Sequence, residues 1–337
     1  MATIKDIARK SGYSIGTVSR VINHHPDVSD KARALIEQII AEEGFQPNQN
    51  AQQLKSSVSP AVAVIVKGTR NSFLSDLLVK VEERLMKRGE EVSVVFIGEE
   101  ENAVLTAARH EQITHPKGFI FLGGSRENFL SDFSRIHTPA VVISTWMGDL
   151  NIPGLSSFST DDSAASAAAV KLLVEKGRKN IGFIGGHMSF AEDGSIISPR
   201  LKGAAEELKK AGLPFDRRRQ FVASHFTFSD SYEAALRLLG INPETDGLFA
   251  HSDIMALGAM RAIHDAGRKI PEDIAVVGYD GIRIGEYSVP RLTSILQDTD
   301  AMTEKAVSDL LQRISGEKET VSHELIPFKI VERESTE

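Results

Sequence analysis

The chain contains no cysteine in 337 residues. Disulfides and cysteine-based zinc sites are therefore excluded. Long apolar runs are also missing. No stretch approaches the roughly 18 residues that a membrane span requires. Lys5, Asp6, Arg9 and Lys10 interrupt the N-terminal stretch where a secretory signal would carry its apolar segment. Together these absences predict a cytoplasmic protein with no membrane association. Catalytic signatures are lacking as well. Ile184-Gly185-Gly186-His187 follows a predicted strand, as a phosphate loop would, but has neither the G-x-G-x-x-G nor the Walker spacing. There is no G-x-S-x-G elbow. The ten histidines are scattered, and His24-His25 is predicted in a turn without metal-ligand spacing. No enzyme activity, cofactor or metal is expected.

What is present begins at the N-terminus. Ile4, Ile7 and Ala8 fall at helical spacing, with Thr3 as N-cap and Asp6 completing a capping-box pattern. Gly12 breaks this helix and Ser14 caps a second, whose apolar stripe is Val18, Val21 and Ile22. Two short helices joined by a glycine-containing turn form a helix-turn-helix. Ile15, Gly16 and Arg20 lie near the start of the second helix and off its apolar stripe, where side chains reach base edges in the major groove. Ser14, Thr17, Ser19 and Asn23 are small polar residues suited to phosphates. A third helix follows from the Ser29 cap through Ala32, Leu35, Ile36, Ile39 and Ile40, and Gly44 ends it. The overall net charge is −7, but residues 1–23 hold Lys5, Arg9, Lys10 and Arg20 against Asp6 alone. The acidic excess lies elsewhere, as in Glu99-Glu100-Glu101 and the Glu332 to Glu337 tail.

These residues carry a resemblance. Thr3-Ile4-Lys5-Asp6-Ile7-Ala8, Ser14-x-x-Thr17-Val18-Ser19-Arg20-Val21-Ile22-Asn23 and Pro47-Asn48-x-x-Ala51-x-x-Leu54 are similar to the headpiece of the lactose-repressor/galactose-repressor family of bacterial transcription regulators. The resemblance extends over almost the whole chain. It implies a DNA-binding headpiece at 1–46 and a hinge helix and linker at 47–59. An effector-binding and dimerisation core would occupy 60–337. Ala51 and Leu54 give the hinge only a weak apolar face, so such a helix is marginal alone. In the family it pairs with its twin in the minor groove, where Leu54 matches the position that wedges between base steps.

From Ala61 onwards the pattern alternates. Apolar strands are predicted at 61–66, 92–97, 118–122 and 140–143, with a helix over 73–88. After Phe158 a second series begins: helices at about 161–175, 200–211, 230–239 and 253–266 alternate with strands at 181–184, 220–223, 247–250 and 274–277. Two βαβ series predict two doubly wound parallel α/β subdomains, the periplasmic-binding-protein type I architecture of the family. A final strand-helix-strand over 292–328 resembles the family's return crossover. It assigns about 60–159 and 292–316 to an N-subdomain, and about 160–291 and 317–331 to a C-subdomain. The chain reaches Glu337 without a leucine heptad, so the extra tetramer-forming helix of the lactose repressor is not expected. A homodimer is.

The ligand is expected between the subdomains, outside the carboxyl ends of the strands. Asn71 and Phe73 follow the first strand, Ser125 the third, and Trp146, the sole tryptophan, the fourth. Phe73 could stack on a ligand; Trp146 could be core, but its place past a strand's end points it to the cleft. By the resemblance, Arg200 matches a ligand-binding arginine and Phe226 an aromatic platform. Asp280 matches a carboxylate that accepts bonds from sugar hydroxyls or ring nitrogens, and Gln297 is a further polar contact. The family pattern has Asn where this chain has Ser252, in His251-Ser252-Asp253. That leaves the effector open between a sugar or sugar derivative and a purine or nucleoside. The expected function is a repressor that binds palindromic operator DNA under effector control. The alternative is a sugar-binding transport-type protein with the same core.

Overall fold

The computed structural model describes residues 4–22, 28–42, 61–68 and 71–337. Thr3, Asn23, Gly44, Leu54 and the whole 47–59 hinge lie outside the described residues. The chain divides into two compact units, Met1–Ser59 and Pro60–Glu337.

The first unit holds α1 (Ile4–Ser11), α2 (Ile15–Ile22) and α3 (Asp30–Glu42). Gly12 adopts φ +75° after α1, a conformation that an L side chain rarely takes. The Ser14 hydroxyl accepts from the Thr17 amide at 3.1 Å and so caps α2. Ile7, Ala8, Val18, Val21 and Ile36 form the buried core, with Tyr13, Ile22, Val28, Ile39 and Ile40 packed around it. Leu35 corrects the periodicity reading, being 41% exposed. Two short partner helices cover only a narrow face of α3, and Leu35 lies a hundred degrees around from Ile36.

The second unit contains two six-stranded sheets. The first half of its chain gives β1 (Val62–Lys67), α4 (Ser72–Lys87), β2 (Val92–Ile97), α5 (Ala103–Thr114), β3 (Gly118–Leu122), α6 (Arg126–Asp132), β4 (Ala140–Ile143) and β5 (Leu155–Thr160). Then come α7 (Asp162–Glu175), β6 (Ile181–Gly185), α8 (Pro199–Lys210), α9 (Arg217–Gln220), β7 (Phe221–Ala223), α10 (Phe228–Ile241), β8 (Gly247–Ala250), α11 (Asp253–Asp265) and β9 (Ala275–Asp280). The chain closes with β10 (Thr293–Gln297), α12 (Thr299–Ile314), β11 (His323–Ile326) and β12 (Phe328–Val331). The sheet orders are β11-β5-β4-β3-β1-β2 and β12-β10-β9-β8-β6-β7. Neighbours pair in parallel except β12, which runs antiparallel to β10. Apolar side chains cover both faces of each sheet, as a parallel sheet flanked by helices requires.

The proposed division at the C-terminal end is corrected here. β10 pairs with β9 in the second sheet, not with the first. Its Ile295 is fully buried in the cluster of Val277 and Tyr279. The helix α12 does belong with the first sheet, where Met302, Ala306, Val307 and Leu310 join Val81 and Leu85. β11 then pairs with β5 of the first sheet and β12 with β10 of the second. The chain therefore crosses between sheets after Thr160, after Gln297 and after Ile326. A hydrophobic pattern shows that a segment is a strand but not which sheet edge receives it.

Gly203 sets one close approach. A Cβ added there would sit 2.0 Å from the Ser163 carbonyl oxygen. Its absence lets α8 press against α7, and the Ser163 hydroxyl bonds the Pro199 carbonyl at 3.0 Å. Alanine has the higher helix propensity by about 1 kcal/mol. Gly203→Ala should nonetheless destabilise the protein by at least about 1–3 kcal/mol, because the intruding methyl meets backbone. Chemical denaturation reads this directly. A midpoint that stays level or rises would mean that the helices can part without cost.

Candidate functional site

Ile15, Gly16 and Arg20 project from α2 on its exposed side, Ile15 being 47% exposed. Thr17 and Ser19 are half-buried at its margins. The Ser14 hydroxyl caps the helix and meets the Thr17 hydroxyl at 2.9 Å. An exposed stripe at the first turns of a capped helix is the geometry that presents side chains to a groove.

The second site lies at the carboxyl ends of the second sheet and centres on Arg200. Ser198 caps α8 by accepting from the Leu201 amide, with Pro199 in the first turn. This starts the helix so that Arg200 turns inward. Its Nε donates to Asp162 Oδ1 at 3.0 Å. Its Nη1 donates to the His251 carbonyl and stands 3.8 Å from Asp280 Oδ1. The guanidinium lies 3.7 Å above the centre of the Tyr279 ring, and the Tyr279 hydroxyl donates to Asp162 Oδ1 at 2.6 Å. Gln297 Nε2 donates to Asp280 Oδ1 at 2.9 Å. The Thr160 hydroxyl donates in turn to Gln297 Oε1 at 2.8 Å. The network thus runs from the last residue of β5 in the first sheet to Arg200 beneath the second.

Burial governs the protonation states. It pushes the Asp280 carboxyl well above the usual range, opposed by Arg200. It raises the Tyr279 hydroxyl too, with Asp162 adding to the effect. Burial would lower the Arg200 pKa, but Asp162, Tyr279 and Asp280 outweigh it and the net shift is upward. The His251 imidazole is pushed down to about 3, by burial first and Arg200 second. Close by, burial lifts Asp253 to about 7. Its carboxylate accepts from the Ile282 amide at 2.7 Å and the Ser294 hydroxyl at 2.5 Å, which ties the turn after β9 to β10.

Comparison with known proteins now decides the family. Residues 3–48 match the model for bacterial regulatory proteins of the lacI family, and residues 170–336 match a periplasmic binding protein-like domain. The chain is 30% identical over 339 aligned positions to the ribose operon repressor of Haemophilus influenzae, covering 99% of this chain and 98% of that one. It is 31% identical to the HTH-type transcriptional regulator MalR of Clostridium butyricum, covering 98% of each. The chain belongs to the lacI family. It is a DNA-binding transcription regulator. Among solved structures of the family, the lac repressor dimer bound to operator and the anti-inducer ONPF superposes with a TM-score of 0.71 at 26% identity. That match covers 99% of each chain. The CelR–cellobiose complex gives 0.68 at 27% identity, covering 99% of this chain and 100% of that one.

Of the eight cleft residues that the lacI-family resemblance and the strand ends pointed to, Arg200, Asp280 and Gln297 meet in one network. The other five take no part in its hydrogen bonds. Asn71 caps α4, accepting from the Leu74 amide at 3.3 Å. Phe73 is 4% exposed in an apolar cluster that also takes in Ile254 and Ile282. Ser125 holds the N-cap position of α6 without a side-chain cap bond. Phe226 lies three residues past β7 over Gly186, where an added Cβ would come within 3.3 Å of its ring. Trp146 is turned to the edge of the first sheet. Its ring meets His323 edge-on at 6.0 Å, and its carbonyl accepts from Arg126. The loop after β4 folds back there, with the Met147 amide on the Ser157 hydroxyl at 3.3 Å, so the cleft reading of Trp146 is corrected. Asp162, Tyr279, His251 and Thr160 were missed as members of the site. His251 sits in the His251-Ser252-Asp253 motif and Tyr279 directly precedes Asp280, but only the fold shows that both adjoin Arg200.

His251 makes a pH prediction. Its folded pKa of about 3 lies below the unfolded value of about 6.5. A depressed pKa contributes stability that is present above pH 6.5 and is lost as pH falls toward 3. At pH 5 the wild type should have lost about 2 kcal/mol through this group relative to pH 8. His251→Gln has no group there to titrate. Urea unfolding of both proteins at the two pH values should therefore shift their stability difference by about that amount in favour of the variant. An unchanged difference would show that the fold accommodates the imidazolium.

Proposed function

We propose that this lacI-family protein is a dimeric repressor whose headpiece, residues 1–46, reads a palindromic operator. Residues 47–59 serve as the hinge, with Leu54 as its minor-groove wedge, and Thr3 and Asn23 contribute phosphate contacts beside Ser14, Thr17 and Ser19. Residues 60–337 bind the effector and dimerise. Within them, 60–160, 299–314 and 323–326 go with the first sheet, and 162–297 and 328–331 with the second. The protein works as a binding switch in the cytoplasm and not as an enzyme. The match of 3–48 to a regulator headpiece disfavours a transport-type role.

The effector is a sugar or sugar derivative. The observation that carries this is the 3.8 Å separation of Arg200 Nη1 and Asp280 Oδ1. It is an ion pair too long for a direct hydrogen bond. A hydroxyl is both donor and acceptor, so it can accept from the guanidinium and donate to the carboxylate at once. The names of the relatives agree: one is a ribose operon repressor, and one solved structure holds cellobiose. Because Asp280 is bonded to Gln297, and Gln297 to Thr160 of β5, a ligand here presses on a link between the sheets. Its leverage on DNA is the difference in its affinity for the two arrangements.

Two measurements test the reading. Arg20→Ala should weaken binding to operator by about 1–3 kcal/mol if it forms a bidentate pair with guanine. Binding to random DNA should change far less. An equal loss on both would make Arg20 a phosphate contact. For the effector, a thermal-shift screen of sugars and sugar phosphates, with nucleosides for comparison, identifies the ligand class. Arg200→Ala and the milder Asp280→Asn should each abolish the thermal shift and the effector-induced change in operator affinity. Retained effector affinity in both variants would move the site away from this network.

A further inference from the structure

The sheets are joined covalently along one side only. β11 and β12, consecutive in the chain, form the adjacent outer edges of the two sheets, with β5 and β10 next to them. The opposite edges are β2 and β7. The segments that leave these two strands meet. Glu99 and Glu100 follow β2, and His225 follows β7. His225 Nδ1 lies 3.4 Å from Glu99 Oε2. One donor atom from each of Glu99, Glu100 and His225 falls within 4.8 Å of the others. A second imidazole, His187 after β6, stands with its ring centre 4.4 Å from that of His225.

These distances suit one small cation. Zinc bonds nitrogen and carboxylate oxygen at about 2.0–2.2 Å in a tetrahedral shell, which sets neighbouring donors about 3.4 Å apart. His225 and Glu99 already have that spacing. Glu100 is exposed and half-buried Glu99 can adjust with it, so closing the remaining gap needs side-chain rotation only. The donor set of carboxylate and imidazole is that of zinc, nickel or cobalt rather than of calcium or magnesium. Glu101 takes no part, since its carboxylate accepts from the Gly98 amide at 2.8 Å. Lys67 stands within electrostatic reach of Glu99 and Glu100. The two glutamates lie more than a hundred residues from His225, so no sequence spacing announces the site.

We propose that Glu99, Glu100 and His225 form a site for a divalent transition cation such as zinc, with the His187 ring packed beside His225. The ion fastens the two sheets together at the side opposite their covalent connections. A cation placed there acts at the greatest distance from the crossings, where any opening between the sheets is widest.

The test uses the full-length protein stripped with chelator and titrated calorimetrically with zinc chloride, without DNA or effector. The wild type should bind one zinc at this site. His225→Ala, on the second-sheet side, and the double variant Glu99→Gln/Glu100→Gln, on the first-sheet side, should each weaken that binding at least about tenfold. His264→Ala is the control. Its imidazole pairs with Asp265 at 3.3 Å without a third donor among the described residues, and binding should be unaffected. The variants replace solvent-accessible side chains, and metal-free thermal midpoints verify that they fold. A wild type that binds no zinc, or variants that bind as the wild type does, would overturn the site. Loss from one side alone would overturn the bridge. Operator binding by metal-free protein is untouched by either outcome, so failure here leaves the repressor reading standing.

Discussion

A buried guanidinium sets the terms for the effector core. Arg200 is enclosed at the strand ends, and an unpaired charge there would cost several kcal/mol. The chain meets that cost from four directions: Asp162 at the start of α7, the His251 carbonyl after β8, Asp280 at the end of β9, and the face of Tyr279. The partners come from three places in the chain, Tyr279 and Asp280 sharing β9, so none of these elements can shift without unpairing the charge. Gly203 is the steric condition for this arrangement, since only a residue without a side chain lets α8 lie close enough to α7 for Arg200 to reach Asp162. The site is rigid because one charge must be satisfied.

The same network shows why polar groups this deep remain tolerable. Asp162 Oδ1 accepts from both Arg200 and Tyr279, and Asp280 Oδ1 accepts from Gln297, whose own oxygen is bonded by Thr160. Carboxylates accept and the surrounding groups donate, so members satisfy one another in a chain. Asp280 holds φ +111°, a conformation that L residues rarely adopt. A strained backbone at a strand end persists only where its surroundings over-determine it. Here Gln297, Arg200 and the turn pinned by Asp253 supply that constraint.

Much of this was legible in the sequence. The headpiece helices announce themselves by cap and period, and the apolar strands β2, β3, β4 and β8 fall where the hydrophobic runs lie. Arg200, Asp280 and Gln297 were found through family motifs that sit at strand ends and a helix start. Other features could not be seen. β5 reads Leu-Ser-Ser-Phe-Ser-Thr, and four small hydroxyls hide a strand whose six residues are all buried. β10 and β11 were recognised within a strand-helix-strand unit, yet their sheets were exchanged, because register with a distant strand leaves no local trace. Trp146 was drawn toward the cleft by its position past a strand, and the fold of its loop placed it on the sheet edge instead. Asp162 and Glu99 look like ordinary acidic residues until tertiary structure supplies Arg200 and His225.

The placement of the connections bears on how such a protein can switch. With all three crossings along one side, the two sheets share a hinge line and a free side. Thr160 and Gln297 lie at crossings, and the bond between them joins the end of β5 to the end of β10. A ligand bonded to Asp280, as proposed above, would act next to the hinge, where a small displacement becomes a larger one at the free side. Packed interfaces of this kind move between discrete arrangements rather than deform continuously. The contact of Glu99 with His225 lies on the free side, so it is made in one arrangement and broken by any substantial opening. Groups near the hinge set which arrangement is preferred, and groups on the free side report it and can lock it.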